Sequence, residues 1–499
     1  NPEPAPSAVP APGSEPAGTP TPSANTEFKR NRWTFGIGTI GRDMLYTLIS
    51  MFLVVYLTNV ADIDNRTLGW VTTIIVVLRV LDAVNDPLMG MLVDNTRTRW
   101  GKHKPWILIG AVISGLLTLL IFRETNQTGT AYVVSFAVIF FFWALSYSLN
   151  DIAYWSYVPA LSTNKRERED IGSKARIFSL VGTFFVVAGI VPITAALGGG
   201  NDQHGYFLFA LIVVIVLWVG QAVTLFGVRE PKLVEQHEGT SFREFIRAIV
   251  KNDQLLWVAI AMGMFMIGYI TTTSFGLFYF QYVYGDENMY SIFAVILGVS
   301  QIISLIVFPH VAKHLPRRKV YLICTILVVV GYIVFGFAPT GTMLFVGIAG
   351  VLIFVGQAAI QLMMLLCLAD TVDYGHWKLG KRNDSVTFSL QPFIYKAGGA
   401  IGTGIVGYTV ILTGINDRAV GDLLTPGDGL ALFKLAMFGL PLVLILGGYL
   451  IYHFKYKIDE ETYDRIHADL VARGEIKAST TEDGDVSPIL IDPDEGHTV

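Results

Sequence analysis

The 499-residue sequence predicts an all-α membrane protein with twelve transmembrane helices arranged as two six-helix bundles. Three observations predict it. Charged residues make up only 15% of the chain and hydrophobic residues 52%, whereas a soluble domain carries about 25% charged residues. The apolar residues gather in about twelve runs, each near the length of about 20 residues that crosses a hydrocarbon core. The loops between runs are basic and non-basic in strict alternation, the pattern that membrane topology imposes on short loops.

The runs fall at roughly 34–60, 67–94, 105–123, 131–160, 174–198, 205–228, 254–284, 288–313, 319–338, 341–372, 384–413 and 430–455. Lysine and arginine cluster at 29–32, 97–104, 165–168, 229–251, 313–319, 378–382 and 455–457, while 61–65, 125–130, 198–205 and 285–288 hold almost none. An even number of spans with this bias places both termini and the central linker in the cytoplasm of a cell-membrane protein. The chain divides into a Pro-rich tail (1–30), a first bundle (31–228), a cytoplasmic linker (229–253), a second bundle (254–456) and a cytoplasmic tail (457–499). The first 27 residues lack apolar groups to bury and are expected to be disordered. They also lack the basic and apolar regions of a signal peptide. A formal net charge of −4 gives no sign of a nucleic-acid partner. Cys324 and Cys367 lie within apolar runs and read as small core residues.

Charges retained in these runs demand a reason, since each costs about 2.5–3.5 kcal/mol at the bilayer centre. They are Arg42, Asp43, Arg79, Asp82, Asp86, Asp151, Arg176 and Lys396. Asp82 and Asp86 stand one helical turn apart with Asn85 beside them, a set of hard oxygen ligands suited to a small cation. The same carboxylates can instead carry a proton, or Asp82 can form a structural ion pair with Arg79. Tyr147, Asp151 and Trp155 are spaced four apart on one helix, with Ser148 adjacent. A carboxylate beside an aromatic face suits sugar hydroxyls and the apolar face of a pyranose, although an interfacial aromatic belt has the same spacing. Asp43 and Arg176 extend this polar wall, and Lys396 approaches from the second bundle. Asp370 and Asp373, near the end of helix 10, read as salt-bridge or gating residues beside basic loops. No His-Glu-x-x-His, Gly-x-Ser-x-Gly or Gly-x-x-x-x-Gly-Lys-[Ser/Thr] pattern occurs, which argues against a membrane-embedded enzyme and an ATP-driven pump.

The turn after helix 2 contains Gly90, Asp94 and Arg99 in a Gly-x-x-x-Asp-x-x-x-x-Arg arrangement, which resembles the major facilitator superfamily. The segments Phe35-Gly-Ile-Gly38, Gly41-Arg42-Asp43, Arg79-Val-Leu-Asp82-Ala-Val-Asn85-Asp86-Pro87 and Arg99-Trp-Gly-Lys-His-Lys-Pro-Trp106 are more specific. With Tyr147 through Trp155, Lys165-Arg-Glu-Arg-Glu169 and Ala369-Asp-Thr-Val-Asp-Tyr-Gly375, they resemble the glycoside–pentoside–hexuronide:cation symporters, the melibiose permease-like family, over about residues 30–460. The resemblance implies a major facilitator fold and sugar uptake coupled to Na⁺ or H⁺, with Li⁺ also admitted, and no cofactor. It puts the cation on Asp82, Asn85, Asp86 and Ser148, with Asp82 and Asp86 as the metal-ligating carboxylates. It puts the sugar on Asp43, Tyr147, Asp151, Trp155 and Arg176, with Gln391 and Lys396 facing them. Ser148 keeps the hydroxyl that melibiose permease carries on Thr. Gln361 replaces a Trp, so the far wall of the pocket differs. The implied partners are a small glycoside, a coupling cation and membrane lipid, with a monomer favoured. A lysophospholipid or other lipid transporter of the melibiose permease-like branch, or a transport-like sensor, are the alternatives.

Overall fold

The computed structural model describes residues 22–61, 63–161, 165–228, 249–339, 341–380, 384–473, 476–480 and 486–490. Within them the chain forms twelve long helices. The first half holds α1 (Pro22–Thr47, continued through a π-helical turn Leu48–Phe52 into Leu53–Asn59), α2 (Asn65–Asp94), α3 (Lys104–Ile121), α4 (Gly129–Trp155), α5 (Lys165–Gly198) and α6 (Asp202–Gly227). The second half holds α7 (Asp253–Tyr279, extended by the π-helical turn Phe280–Tyr284), α8 (Asn288–His314), α9 (Arg317–Gly336), α10 (Met343–Leu379), α11 (Asp384–Leu412) and α12 (Leu430–Lys434, Leu435–Gly439 and Leu440–Lys455). Ten of the twelve are long and apolar enough to cross a membrane. The other two are α2, which carries Arg79, Asp82 and Asp86, and the glycine-rich α11.

The two halves repeat one packing scheme. In the first, α1 packs on α5 and α6, α4 on α2 and α3, and α3 on α6. In the second, α7 packs on α11 and α12, α10 on α8 and α9, and α9 on α12. Adding six to each helix number converts one set into the other, the mark of a duplicated bundle that sequence identity between the halves barely shows. Close approach is made by small residues. A side chain at Gly41 would lie 2.3 Å from the Leu217 backbone, so α1 and α6 touch through their main chains there. Buried amides tie the bundle: Asn150 donates to the Ile107 carbonyl at 2.8 Å and to Gln221 at 3.2 Å, and Gln221 donates to the Gly38 carbonyl at 2.8 Å.

The halves meet where α2 packs on α11 and α5 on α8. The α2–α11 seam is tight: a Cβ at Gly407 would sit 2.6 Å from the Thr72 side chain. The end carrying the α1–α2, α7–α8 and α11–α12 loops is closed by hydrogen bonds across the seam. Asn59 donates to Gln281 at 2.7 Å, Tyr282 to Asn59 at 2.9 Å, Asn65 to Asp417 at 2.7 Å and Asn416 to the Ile63 carbonyl at 2.9 Å. At the opposite end, where the basic loops lie, no hydrogen bond or ion pair joins the halves among the described residues.

Residues 22–30 are helical and open α1, the first six of them inside the segment expected to be disordered; residues 1–21 and the linker residues 229–248 lie outside the described ones. The 457–499 tail is not plain coil. Its helix α13 (Glu460–Ala472) is seated on the basic-loop end of the second half, and β1 (Ile476–Thr480) pairs antiparallel with β2 (Val486–Leu490). Tyr463 donates to Asp373 at 3.0 Å, Trp377 to Asp469 at 3.0 Å, and Ile466 and Leu470 are buried against Tyr374 and Trp377. Asp370 pairs with Arg317 and accepts from Tyr456 at 3.0 Å. Both acids of α10 thus serve the packing of α9, α12 and α13.

Two outcomes are expected. Gly407→Leu should lower the thermal stability of the purified protein by about 1–3 kcal/mol through overpacking, while Gly69→Ala, whose Cβ would meet Ile411 at an ordinary 3.7 Å, should not. Equal melting temperatures for both variants would mean that the seam yields. Asp459 caps α13, accepting from the Thr462 hydroxyl at 2.6 Å and amide at 3.1 Å, and these bonds hold its carboxyl below the usual 3.8. A lowered native value stabilises the docked helix above the ordinary carboxylate range and loses that contribution as pH falls through it. Hydrogen exchange in 460–472 should therefore quicken at acid pH, and Asp459→Ala should quicken it at neutral pH by the about 0.5–2 kcal/mol of a lost cap.

Candidate functional site

The intramembrane charges converge midway along the bundle in two adjoining clusters linked by α4. The first forms around Lys396 of α11. Its Nζ donates to both carboxylate oxygens of Asp86, at 2.6 and 2.8 Å, and to Ser148 Oγ at 2.9 Å, and lies 3.2 Å from Asp82 Oδ2. Ser148 in turn donates to the other oxygen of Asp82. The one-turn spacing of Asp82 and Asp86 on α2 puts both carboxylates on one face, and α4 brings Ser148 to it. Asn85 is partly exposed beside them and makes no hydrogen bond among the described residues. Lys396, expected on the sugar side, therefore belongs to the group expected to hold the cation. Its ammonium occupies the centre of the oxygen set a small cation requires. No group of three or more His, Cys, Asp or Glu side chains placed to hold a metal occurs among the described residues.

The second cluster is built on Arg42, whose side chain is 2% exposed. Its guanidinium donates to Asp151 Oδ1 at 2.7 Å and to Asp43 Oδ2 at 3.0 Å. These carboxylates are 25% and 18% exposed, so each keeps uncovered surface. Trp155 is covered by two guanidinium groups: Arg42 lies 4.9 Å and the exposed Arg176 4.6 Å from its ring centroids. A sugar stacking on that ring must move Arg176 aside. The ring of Tyr147, 6% exposed, offers little surface for the role that its spacing implied. It is buried in an aromatic ladder, stacked on Trp143 at 5.4 Å and on Tyr46 at 5.4 Å, continuing through Phe140 and Phe136. The ladder runs through the interior and is not an interfacial belt.

Across the seam, Gln361 of α10 donates to Tyr395 of α11. Among the described residues no hydrogen bond joins Gln391 to Asp43, Asp151 or Arg176. The alternative ion pair of Arg79 with Asp82 does not occur among the described residues. Arg79 instead donates to Thr403 Oγ1 at 3.1 Å across the seam and to the Ile49 carbonyl at 3.3 Å. The side chain of Asp94, in the loop motif, lies outside the described residues. Sequence reading assigned Arg42 no role. Charge balance was the available signal: Asp43, Asp82, Asp86 and Asp151 need four basic partners, and Arg42 is one of only four at hand.

The ionic link makes a test possible. Lys396→Met should destabilise the protein by about 3–5 kcal/mol, because it strands buried carboxylates. Adding Asp86→Asn should recover part of that loss. Additive losses in this double-mutant cycle would mean the pair carries no coupling.

The chain matches the model of the family described as MFS/sugar transport protein over residues 34–460. It is 32% identical to a lactose permease of Lactobacillus delbrueckii subsp. bulgaricus, the match covering 88% of this chain and 72% of that one. It is 30% identical to a raffinose carrier protein of Pediococcus pentosaceus, covering 92% and 74%. In structure it resembles a bacterial homologue of the human lysosomal transporter Spinster, captured inward-facing and unoccupied (TM-score 0.62, 10% identity, 90% of this chain and 99% of that one). It also resembles the nucleoside transporter NupG (TM-score 0.59, 13% identity, 85% and 100%); at such identities these two likenesses speak for the fold alone. Twelve helices in duplicated halves, charges gathered on the seam and these matches agree: this chain is a membrane transporter, not an enzyme, and belongs to the MFS/sugar transport protein family.

Proposed function

We propose that the protein carries a glycoside or small sugar across the cell membrane by symport with Na⁺ or H⁺, its termini in the cytoplasm. The observation that carries this reading is the Lys396 ammonium among Asp82, Asp86 and Ser148. It marks a cation-shaped set of oxygens on the boundary between halves that must move. A Na⁺ arriving there replaces Lys396 as counter-charge, so the carboxylates are never left bare, and the link between α11 and α2 is released. With H⁺, protonation of Asp86 weakens the same link. Ser148 and Asp151 lie three residues apart on α4, so ordering of the cation cluster is felt in the Arg42–Asp43–Asp151 cluster. There Asp43 and Asp151 accept sugar hydroxyl bonds, and Arg42 orients both carboxylates. Relatives named for lactose, raffinose and isoprimeverose favour a saccharide. A lipid transporter is disfavoured by two carboxylates paired in the wall where an acyl chain would lie.

The test is binding of lactose, melibiose, raffinose and isoprimeverose to the purified protein with Na⁺, with Li⁺, and across pH without either. Coupling is reciprocal and is expected to tighten sugar binding about 5–150-fold in the presence of the cation. Asp86→Asn should remove that cation dependence, and Asp151→Ala should remove sugar binding while Na⁺ still raises thermal stability. No glycoside binding under any ionic condition overturns the reading in favour of a lipid substrate.

A further inference from the structure

The connection from α11 to α12, residues 413–429, is long for a link between packed helices, and long ordered loops are usually functional. It is fixed from within. Its ends touch: Gly429 has φ +89, and a Cβ there would lie 2.9 Å from the Thr413 Cα. Ile415 and Leu424 are buried. Arg418 reaches two carboxylates of the same loop, Asp422 at 3.4 Å and Asp428 at 3.2 Å, and Thr425 donates to Asp428 at 2.8 Å. Joined ends and internal bonds are the features of an Ω-loop. Its outward bonds go to both halves. The Leu424 amide donates at 2.8 Å to the Tyr282 carbonyl, in the last turn of α7, where helical bonding leaves carbonyls without partners. On the other side, adjacent Asn416 and Asp417 bond the Ile63 carbonyl and the Asn65 side chain, at 2.9 and 2.7 Å. These two positions flank Asp64, whose carboxylate caps α2 by accepting from the Thr67 amide at 3.2 Å and hydroxyl at 2.5 Å.

We propose that residues 413–429 are a strap that holds the closed end shut, with Asn416 and Asp417 as its clasp and Arg418 as the positioning residue that shapes it. Arg418 directly follows the clasp in the chain. Its ties to Asp422 and Asp428 therefore steady the 3₁₀ turn Ile415–Asp417 on which the clasp residues stand. The strap is held to the second half by its two buried side chains and the Tyr282 bond, and it grips the first half at the cap of α2, the helix that carries Asp82 and Asp86. When the halves part at this end, the strap stays with the second half and the two clasp bonds break together, freeing the first turn of α2. The strap acts in the same way whichever sugar or cation drives the cycle.

Spin labels on Asn126→Cys and Pro339→Cys test this. Both positions are exposed, in the loops after α3 and after α9, one on each half at the closed end. Double electron–electron resonance on the purified full-length protein, whose own Cys324 and Cys367 are buried, then reads the gap between the halves. Asn65→Asp sets a second carboxylate opposite Asp417 and should raise the ratio of long to short distances about 2–10-fold, the weight of one lost hydrogen bond. Adding Asp417→Asn restores the pair with donor and acceptor exchanged and should bring back the short distances. Arg418→Gln should open the end to a similar extent with both clasp residues present. An unchanged distribution in Asn65→Asp or in Arg418→Gln overturns the proposal, as does an opening that Asp417→Asn fails to reverse. If Asn65→Asp alone does not fold, the exchanged pair decides: a folded, closed double variant supports the clasp, and an unfolded or open one overturns it.

Discussion

The ammonium of Lys396, held by oxygens from Asp82, Asp86 and Ser148, is the contact on which the rest of the molecule depends. The membrane-centre helices carry four carboxylates, Asp43, Asp82, Asp86 and Asp151, and four basic groups, Arg42, Arg79, Arg176 and Lys396. All four acids belong to the first half, which holds only three of the bases. The missing positive charge comes from α11. Neither half is electrically complete by itself, and at about 2.5–3.5 kcal/mol for an unpaired charge at mid-membrane, the imbalance favours their association at this point.

Burial divides the labour within the clusters. Arg42 is the innermost group, and the two carboxylates it pairs with are each left partly uncovered. A buried base below and an open acid above gives a wall whose exposed atoms are hydrogen-bond acceptors, with their charge already offset. Such a surface can accept hydroxyl donors without drawing in a counter-ion. The Lys396 cluster is arranged in the opposite sense: its carboxylates are satisfied by a side chain from the other half, which in the proposed cycle a free ion replaces. α4 carries Ser148 in one cluster and Asp151 in the other, so the two kinds of surface share one rigid element.

Much of this was legible in the sequence because it is local. Apolar run length gives the helices, loop charge gives their alternation, and a four-residue spacing puts Asp82 with Asp86. What escaped was non-local pairing. Arg79, three residues from Asp82, was the natural partner within one helix. It turns to Thr403 and Ile49 instead, because α11 delivers Lys396, 310 residues away from Asp86, to the same face. Tyr147 shares the helical stripe of Asp151, but neighbouring Tyr46 and Trp143 stack on its ring and bury it. Spacing assigns a residue to a face; only the packed neighbours decide whether that face is open. The duplicated pairing scheme was equally hidden, since helices of any apolar sequence can repeat the same contacts.

The distribution of contacts along the seam bears on how the halves move. The closed end is joined mostly by neutral donors and acceptors: Asn59 with Gln281, Tyr282 with Asn59, and Thr73 with Tyr408 at 2.6 Å. Each such bond contributes about 0.5–1.5 kcal/mol net, and its groups can turn to water when parted. The central ionic cluster differs, since separating it without a substitute strands charge in a low-dielectric layer at about 3–5 kcal/mol. In the proposed cycle the neutral layer is therefore the part that opens readily, and the ion cluster decides when it does. Small residues on α11, with Gly407 against Thr72, make the seam close enough for that decision to be felt along its length. In that cycle the barrier responds to whichever cation neutralises Asp82 and Asp86, so that ion binding in the middle of the membrane would govern access at its surface.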